Sequence, residues 1–349
     1  LPIIRLAAPT GKAARRLGDA LREGANTLQG REAFRDSTWP QWLEPALQAE
    51  AMTVHRLLGS RGQQRGFTHH AGNPVGADVV LIDEASMLDL PLLRALLDAL
   101  PETAVLVFVG DAEQLPPVGT GSVFLDLVTA LEASAAGDVV RLQHSFRADQ
   151  ALVPVNEALR TGHPEDFMRA CDSAGTQVQR QACDSLPQLQ VCVQHWHRQL
   201  FSEWQDAGLY APVHPDDVPP KLTAVRGRQL LCALREGPFG AEQVNARLEA
   251  LFRHAAGDST AGEWYPGRAV MITRNDAASG LFNGDIGICL RDSAGQLSVW
   301  FEGVSGLEGG SGPRAFAPDA LPSHEGAFAI SVHKSQGSEY GHVAVLLPP

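Results

Sequence analysis

Two short apolar runs rich in β-branched residues stand out in the hydrophobic pattern of the chain. Residues 79–82 and 105–109 are uninterrupted apolar runs, and acidic residues follow each of them within two positions. Short continuous runs of this kind are typical of buried strands in a parallel sheet. Between them, leucines at helical spacing over residues 88–100 predict a helix. The pattern therefore predicts a strand–helix–strand unit with a right-handed crossover.

Further elements are predicted on both sides of this unit. We expect a strand over residues 3–8, a helix over 11–22 and a long helix over 189–207. Residues 266–325 contain short apolar runs with Gly-rich turns, which predict a small antiparallel barrel. Asn283-Gly284 in this region is a strong signal for a hairpin turn. The strands predicted in the last third of the chain are 269–273, 286–290, 297–301, 327–332 and 343–347.

Composition limits the class of protein. The 349 residues are enough for about two domains. With 28 Lys+Arg against 40 Asp+Glu, the formal net charge of −12 excludes a globally basic protein that coats nucleic acid, but not a local basic groove. Hydrophobic residues make up 44% and charged residues 19%, which excludes a disordered chain. Five cysteines without a CxxC pair indicate reduced thiols in a cytoplasmic protein rather than a zinc site or a disulfide framework.

Carboxylates follow the two predicted strands, at the edge where parallel sheets bind their ligands. Asp83 and Glu84 follow the first run, and Asp111 follows the second. An Asp-Glu pair after an apolar strand is the Walker B arrangement of P-loop NTPases, in which the first carboxylate helps to hold Mg²⁺ and the second deprotonates the attacking water. Gln114 can hydrogen-bond both that water and the γ-phosphate. The alternative is that these residues only cap exposed strand ends.

Three stretches together resemble motifs II, III and V of superfamily 1 DNA helicases. They are Asp83-Glu84-Ala85-Ser86-Met87, Gly110-Asp111-x-x-Gln114-Leu115-Pro116-Pro117-Val118 and Val332-His333-Lys334-Ser335-Gln336-Gly337-Ser338-Glu339. Within that superfamily the chain is similar to the RecD family, the α subunit of exodeoxyribonuclease V (RecBCD). The stretches that carry this narrower resemblance are 7–14, 54–59, 230–240 and 280–288.

The resemblance implies an α/β fold with two RecA-like P-loop NTPase domains, each built on a parallel sheet, and a small SH3-like β-barrel insertion. The first domain would cover residues 1–140 with a short excursion at 60–77. The second would cover residues 141–349, with the SH3-like insertion at 266–325. Both domains are expected to be incomplete within this chain.

The resemblance also implies two sets of functional residues, with ATP and Mg²⁺ as cofactors. Asp83 would bind the Mg²⁺ of the nucleotide, Glu84 would be the catalytic base, and Gln114 would sense the γ-phosphate. Arg147 would be an arginine finger supplied by the second domain. The remaining residues implied at the nucleotide are Gly337 and Glu339. Those implied to contact DNA are Thr10, Gly11, Lys12, Thr53, His55, Asn283, Ser331, His333, Lys334 and Gln336.

The function implied by the resemblance is that of an ATP-dependent 5′→3′ DNA helicase and translocase. It would unwind duplex ends in double-strand-break repair and recombination, with DNA and the RecB and RecC subunits as partners. Two alternatives stay open. One is a catalytically silent, DNA-binding scaffold subunit. The other is a superfamily 1B helicase outside RecBCD, such as an RNA helicase or a relaxase–helicase.

The chain departs from the family in one respect, the absence of a Walker A motif. Gly11-Lys12 is not a P-loop, because Leu6 stands where the first glycine is required and Ala13 where Ser or Thr is required. In the family, Walker A precedes the region matched by the first residues here, and motif VI follows the region matched by the last. We therefore expect the chain to be a fragment of a longer protein.

Overall fold

The computed structural model describes most of the chain as two compact units. The described residues are 2–35, 37–38, 40–61, 66–117, 119, 123–134, 137–142, 150–256, 262–276, 278–303 and 312–349. One unit comprises residues 1–85, 91–110 and 183–349, and the other comprises 86–90 and 111–182. The two RecA-like domains divided at residue 140 stay a prediction. Among the described residues, no helix combines the length and the apolar character needed to cross a bilayer.

A four-stranded parallel sheet forms the first part of the larger unit. Its strands are β1 (Ile4–Ala8), β2 (Ala51–Thr53), β3 (Val79–Ile82) and β4 (Val105–Phe108), in the order β2-β1-β3-β4. In register, Ala8 pairs with Thr53 of β2, and Ala7 pairs with Ile82 of β3. The chain segments that follow these strands therefore leave the sheet at one edge. The strands predicted over 3–8, 79–82 and 105–109 are confirmed. The predicted burial of the 105–109 strand is wrong, because β4 lies at the edge of this sheet and Val105 and Val107 are exposed.

Five helices connect these strands. They are α1 (Gly11–Gln29), α2 (Glu32–Arg35), α3 (Pro40–Gln48), α4 (Val54–Leu57) and α5 (Leu90–Asp98). α1 continues seven residues beyond the predicted end at residue 22. Residues 23–29 are exposed except for Ala25, so they carry no apolar periodicity from which the extension could be predicted. α5 lies within the helix predicted over 88–100.

The described residues of the smaller unit include three α-helices. Its helices are α6 (Val123–Ala133), α7 (Val153–Thr161) and α8 (Pro164–Ser173). α7 ends at Gly162, which has a left-handed φ of 72°, and Pro164 begins α8 two residues later. A glycine in the left-handed conformation commonly ends a helix, and a proline is common in the first turn of the next one.

The larger unit continues with three helices, one strand and an antiparallel sheet. These elements are α9 (Leu186–Asp206), α10 (Val218–Arg226), β5 (Arg228–Cys232) and α11 (Ala241–Ala255). The sheet contains β6 (Ala269–Ile272), β7 (Ile286–Arg291), β8 (Leu297–Phe301), β9 (Arg314–Phe316) and β10 (His324–Gly326), in the order β10-β6-β7-β8-β9. The antiparallel strands predicted for this region are confirmed, and closure into a barrel stays a prediction.

A second parallel sheet forms after the antiparallel one. β11 (Ala329–Ser331) and β12 (His342–Leu346) pair in parallel on either side of β5. The antiparallel sheet is therefore inserted between strands of one parallel sheet, as the sequence predicts. The core beneath the second sheet is aromatic. Phe252 of α11 stacks on Phe328 with 4.3 Å between the ring centroids, and the ring centroid of Trp204 of α9 lies 5.3 Å from that of Phe252. This packing holds the helices against the sheet that carries the 332–339 segment.

Candidate functional site

The Asp83-Glu84 pair lies directly beyond β3. Asp83 extends the ladder, since its N–H donates to the carbonyl of Ala7 at 2.9 Å. Its Oδ1 accepts the N–H of Glu84 at 2.9 Å. Glu84 has a φ of 51°, in the left-handed region that non-glycine residues rarely adopt. Such backbone strain concentrates at functional sites, and here both carboxylates are held on a rigid strand end.

The loop after β11 brings Gly337 to Glu84. Gly337 has a φ of +68°, and a Cβ built on it would lie 4.0 Å from Glu84 Oε1. The neighbouring Ser338 donates its N–H to the Ser335 carbonyl at 2.9 Å, which closes a tight turn. The structure thus places a residue predicted at the nucleotide beside the predicted catalytic base, although 253 positions (337 − 84) separate them in sequence.

The first turn of α1 is held by three different contacts. Thr10 caps the helix, because its Oγ1 accepts the Ala13 N–H at 3.2 Å. A Cβ at Gly11 would lie 2.4 Å from Phe282 Cδ1. Lys12 Nζ donates to Ser338 Oγ at 2.7 Å. Burial lowers the pKa of Lys12, and the nearby Arg16 guanidinium lowers it further.

Thr53 and His55 lie at the end of the neighbouring strand. Thr53 Oγ1 accepts the Arg56 N–H at 3.2 Å and so caps the short helix α4. His55 is exposed, and its ring centroid lies 5.9 Å from that of Phe67. Since β2 is parallel to β1, both residues lie at the sheet edge where α1 begins.

Two of the predicted DNA residues after β5 line a pocket that carries charged side chains of both signs. Ser331 and Lys334 contribute to it together with Arg235 and Arg268. Lys334 Nζ pairs with Glu325 Oε1 at 2.6 Å. The sequence analysis did not single out Arg235 and Arg268. Arg235 lies inside the 230–240 stretch that carries the family resemblance, which is the signal that would have found it.

The remaining predicted residues of the larger unit vary in exposure. His333 and Glu339 are exposed, and Gln336 is half-buried. Asn283 is also exposed, and its N–H donates to Asn275 Oδ1 at 2.8 Å. These positions leave the exposed side chains accessible to a ligand.

Gln114 belongs to the smaller unit. It is exposed, and its N–H donates to the Asp111 carbonyl at 3.2 Å. Asp111 Oδ1 also accepts the Glu113 N–H at 3.0 Å, so this carboxylate orders the loop that carries Gln114. Arg147 lies outside the described residues. The roles assigned to Gln114 and Arg147 stay predictions.

The donors at the strand end fit a magnesium ion that is bound mainly through phosphate. Among the residues that the structure describes, no three His, Cys, Asp or Glu side chains are grouped closely enough to hold a metal. Mg²⁺ commonly takes one or two carboxylates and completes its coordination with water and phosphate oxygens. A single carboxylate at Asp83 fits that mode and does not fit an all-protein metal cage.

The structure also shows contacts that the sequence analysis did not predict. Phe282, Arg15 and Asp285 join the antiparallel sheet to α1, and Ser338 joins the 332–339 segment to Lys12. The hairpin signal at 283–284 located the turn but gave no partner for it. A long-range contact of this kind has no periodic signal in a single sequence.

The whole chain is similar to curated RecD proteins. It is 33% identical over 349 residues to the RecBCD enzyme subunit RecD of Mycolicibacterium smegmatis, covering 99% of this chain and 57% of that protein. It is 31% identical over 358 residues to the ATP-dependent RecD2 DNA helicase of Deinococcus radiodurans, covering 99% of this chain and 39% of that protein. The chain therefore spans little more than half the length of the curated RecD subunit and about two fifths of the RecD2 helicase.

Two further comparisons also gave matches. Residues 2–120 match a family described as an AAA domain. Among solved structures, the Pif1 helicase from Candida albicans matches with a TM-score of 0.45 and 16% identity, covering 98% of this chain and 84% of that one. The α/β fold is shown instead by the two parallel sheets described above.

Proposed function

We propose that this chain, as a RecD-like superfamily 1 helicase, is an ATP-dependent DNA helicase and translocase. It moves 5′→3′ along one DNA strand and unwinds duplex ends in double-strand-break repair and recombination. Its partners are DNA and the RecB- and RecC-type subunits of an exodeoxyribonuclease V complex. The relative that supports this assignment is the RecBCD enzyme subunit RecD of Mycolicibacterium smegmatis.

The observation that carries the proposal is the apposition of Glu84 and Gly337. A strand-end carboxylate of one parallel sheet faces the loop after β11 of the other. A motor needs such a contact, because nucleotide held between two sheets can change their spacing only if both touch it. The next residue of the same loop, Ser338, reaches the predicted DNA side through Lys12.

Asp83 is the residue that would hold the magnesium ion of bound ATP, with its free carboxylate oxygen. The ion's chemistry is to neutralise charge on the phosphates. Glu84 orients the attacking water and accepts its proton, which its fixed position beyond β3 allows. The resemblance assigns sensing of the γ-phosphate to Gln114 and stabilisation of charge on the transferred phosphoryl group to Arg147.

The test is unwinding of duplexes with a 5′ or a 3′ tail by the full-length protein, alone and with RecB- and RecC-type partners. We expect ATP-dependent unwinding from the 5′ tail only. Glu84→Gln should keep nucleotide binding and lower DNA-stimulated hydrolysis by at least about 10²-fold, the usual scale for a general base. The matched control is Glu102→Gln, an exposed glutamate before β4.

Three outcomes would contradict the proposal. Unwinding from the 3′ tail would reverse the polarity. Near-normal hydrolysis in the Glu84→Gln protein would remove Glu84 as the base. DNA binding without hydrolysis or unwinding, with the partners present, would identify a silent scaffold subunit.

A further inference from the structure

The turn formed by residues 279–285 of the antiparallel sheet lies on the first turns of α1. Its Phe282 ring occupies the space that any side chain at position 11 would need, because a Cβ there would lie 2.4 Å from Cδ1. One turn along the helix, the Arg15 guanidinium carbon lies 4.7 Å from the centroid of the same ring. Arg15 Nη2 also lies 3.8 Å from Asp285 Oδ2. Three separate contacts therefore join this turn to α1.

The 279–285 turn is built to present Phe282 rigidly. Asp285 Oδ2 accepts the Phe282 N–H at 2.8 Å. Arg314 donates from Nη1 to the Ser279 carbonyl at 2.7 Å and from Nη2 to the Gly280 carbonyl at 3.1 Å. Because the turn is braced from both sides, the ring meets α1 at a defined position and loses little conformational freedom in doing so.

The contact with α1 is shielded from water. The Arg15 side chain is 23% exposed and that of Asp285 is 13% exposed. Arg15 Nη2 is buried without a hydrogen-bond partner. Cation–π and ionic attraction both strengthen when water is excluded, so the aromatic ring and the carboxylate are what hold this guanidinium in place.

The same first turn of α1 is where the resemblance places Thr10, Gly11 and Lys12 on DNA. In this structure all three are engaged within the protein. The Thr10 hydroxyl caps its own helix, Gly11 is covered by Phe282, and the Lys12 ammonium is bonded to Ser338. All three are half-buried, so a DNA phosphate that binds to Gly11 and Lys12 must displace the Phe282 ring and the Ser338 hydroxyl from them.

We propose that Arg15, Phe282 and Asp285 form a clasp that closes the start of α1 to single-stranded DNA and opens when a strand binds. This inference rests on the proposed function and names the residues that control entry of the DNA strand. The incoming phosphate gains the positive dipole end of α1 together with the Lys12 ammonium. Those gains offset the loss of the clasp contacts, so strand affinity is set by the balance between the two.

The first experiment measures binding of a fluorescent single-stranded oligonucleotide to full-length Phe282→Ala and Arg15→Ala proteins. We expect each to bind about tenfold more tightly than the parent, since a larger fraction of molecules is then open. The matched control is Arg22→Ala, which removes the same charge from an exposed position of α1 where arginine pairs only with Asp19. Arg22→Ala should bind no more tightly than the parent.

The second experiment closes the clasp covalently, so its result does not depend on whether the first variants fold. Arg15→Cys and Asp285→Cys are combined, joined by a short reducible bismaleimide, and checked by peptide mapping. The controls are proteins with only one of the two substitutions, treated with the same reagent. The cross-linked protein should lose at least about tenfold in oligonucleotide affinity, and reduction of the linker should restore it.

The outcomes separate the clasp from the proposed function. If the parent binds DNA and hydrolyses ATP while Phe282→Ala, Arg15→Ala and the cross-linked protein all bind DNA like the parent, the clasp is wrong and the function stands. Weaker binding by Phe282→Ala together with unchanged binding after cross-linking also overturns the clasp, because the ring would then be a DNA contact. If the parent neither binds DNA nor hydrolyses ATP, the proposed function fails and the clasp fails with it.

Discussion

Gly337 lies against Glu84, and the backbone of each has a positive φ, +68° and 51° respectively. Glu84 is the only residue other than glycine with a positive φ in the described part of the chain. The contact joins the end of β3 to the loop after β11. A strained glutamate therefore lies beside a glycine that adopts the left-handed conformation without steric cost, where the two parallel sheets meet at the predicted nucleotide site.

Gly337→Ala should reduce both stability and hydrolysis. An L-residue in the left-handed region costs about 1 kcal/mol, and the added methyl group would lie 4.0 Å from Glu84 Oε1. We expect ATP hydrolysis to fall at least about tenfold, because the methyl group occupies space beside the catalytic carboxylate. The control is Gly295→Ala, where φ is +84° and no atom lies within 4 Å of the new Cβ. Equal hydrolysis rates in the two variants would contradict a catalytic role for this contact.

Gly11→Ala and Gly24→Ala should change stability in opposite directions although both lie in α1. At Gly11 the new Cβ would lie 2.4 Å from Phe282, so overpacking should destabilise the protein by about 1–3 kcal/mol. At Gly24 nothing lies within 4 Å, and better helix propensity should stabilise it by up to about 1 kcal/mol. Denaturant unfolding measures both. A neutral Gly11→Ala would mean that the 279–285 turn does not rest on α1 in solution.

Lys221→Met should destabilise the end of α9. Lys221 is 8% exposed, and its Nζ donates to the carbonyls of Ala207 at 3.0 Å and Gly208 at 2.8 Å. Met removes the charged donor from both carbonyls, although Gly208 still accepts the Ala211 N–H at 3.3 Å. The loss should cost about 2 kcal/mol. The control is Arg198→Met, at an exposed position of α9. We expect it to change the free energy of unfolding by less than about 0.5 kcal/mol.

His197 should make stability depend on pH. Burial lowers its pKa below the ordinary value of 6.5, and the nearby Arg198 charge lowers it further. As the pH falls below about 6.5, the unfolded chain takes up the proton before the folded protein does, so stability is lost until the folded-state pKa is reached.

His197→Gln should remove this part of the acid destabilisation. The measurement compares the free energy of unfolding at about pH 7.5 and about pH 5.5 in the parent and the variant. His195→Gln, at an exposed position two residues earlier in α9, should leave the pH dependence as it is in the parent. An identical pH dependence in the parent and the His197→Gln protein would show that His197 does not titrate in this range.

Much of the fold could be predicted because its elements are encoded locally. The apolar runs at 79–82 and 105–109 are buried or edge strands in the structure, and the leucine spacing between them forms α5. The end of α1 could not be predicted, because residues 23–29 are mostly exposed and a polar helix face has no apolar period. The roles of Gln114 and Arg147 stay predictions.

The sequence by itself determined which residues stand at strand ends. Parallel register then requires Asp83 and Thr10 to share one sheet edge. The strand β2, which brings Thr53 to the same edge, was not predicted from the sequence. Only the tertiary structure decided which distant segments meet that edge: Gly337 at Glu84, Ser338 at Lys12 and Phe282 at Gly11. The physical reason is that strand and helix periodicity arises from the backbone and is written locally. A contact between residues more than 250 positions apart depends instead on how whole sheets pack, for which a single sequence carries no repeating signal.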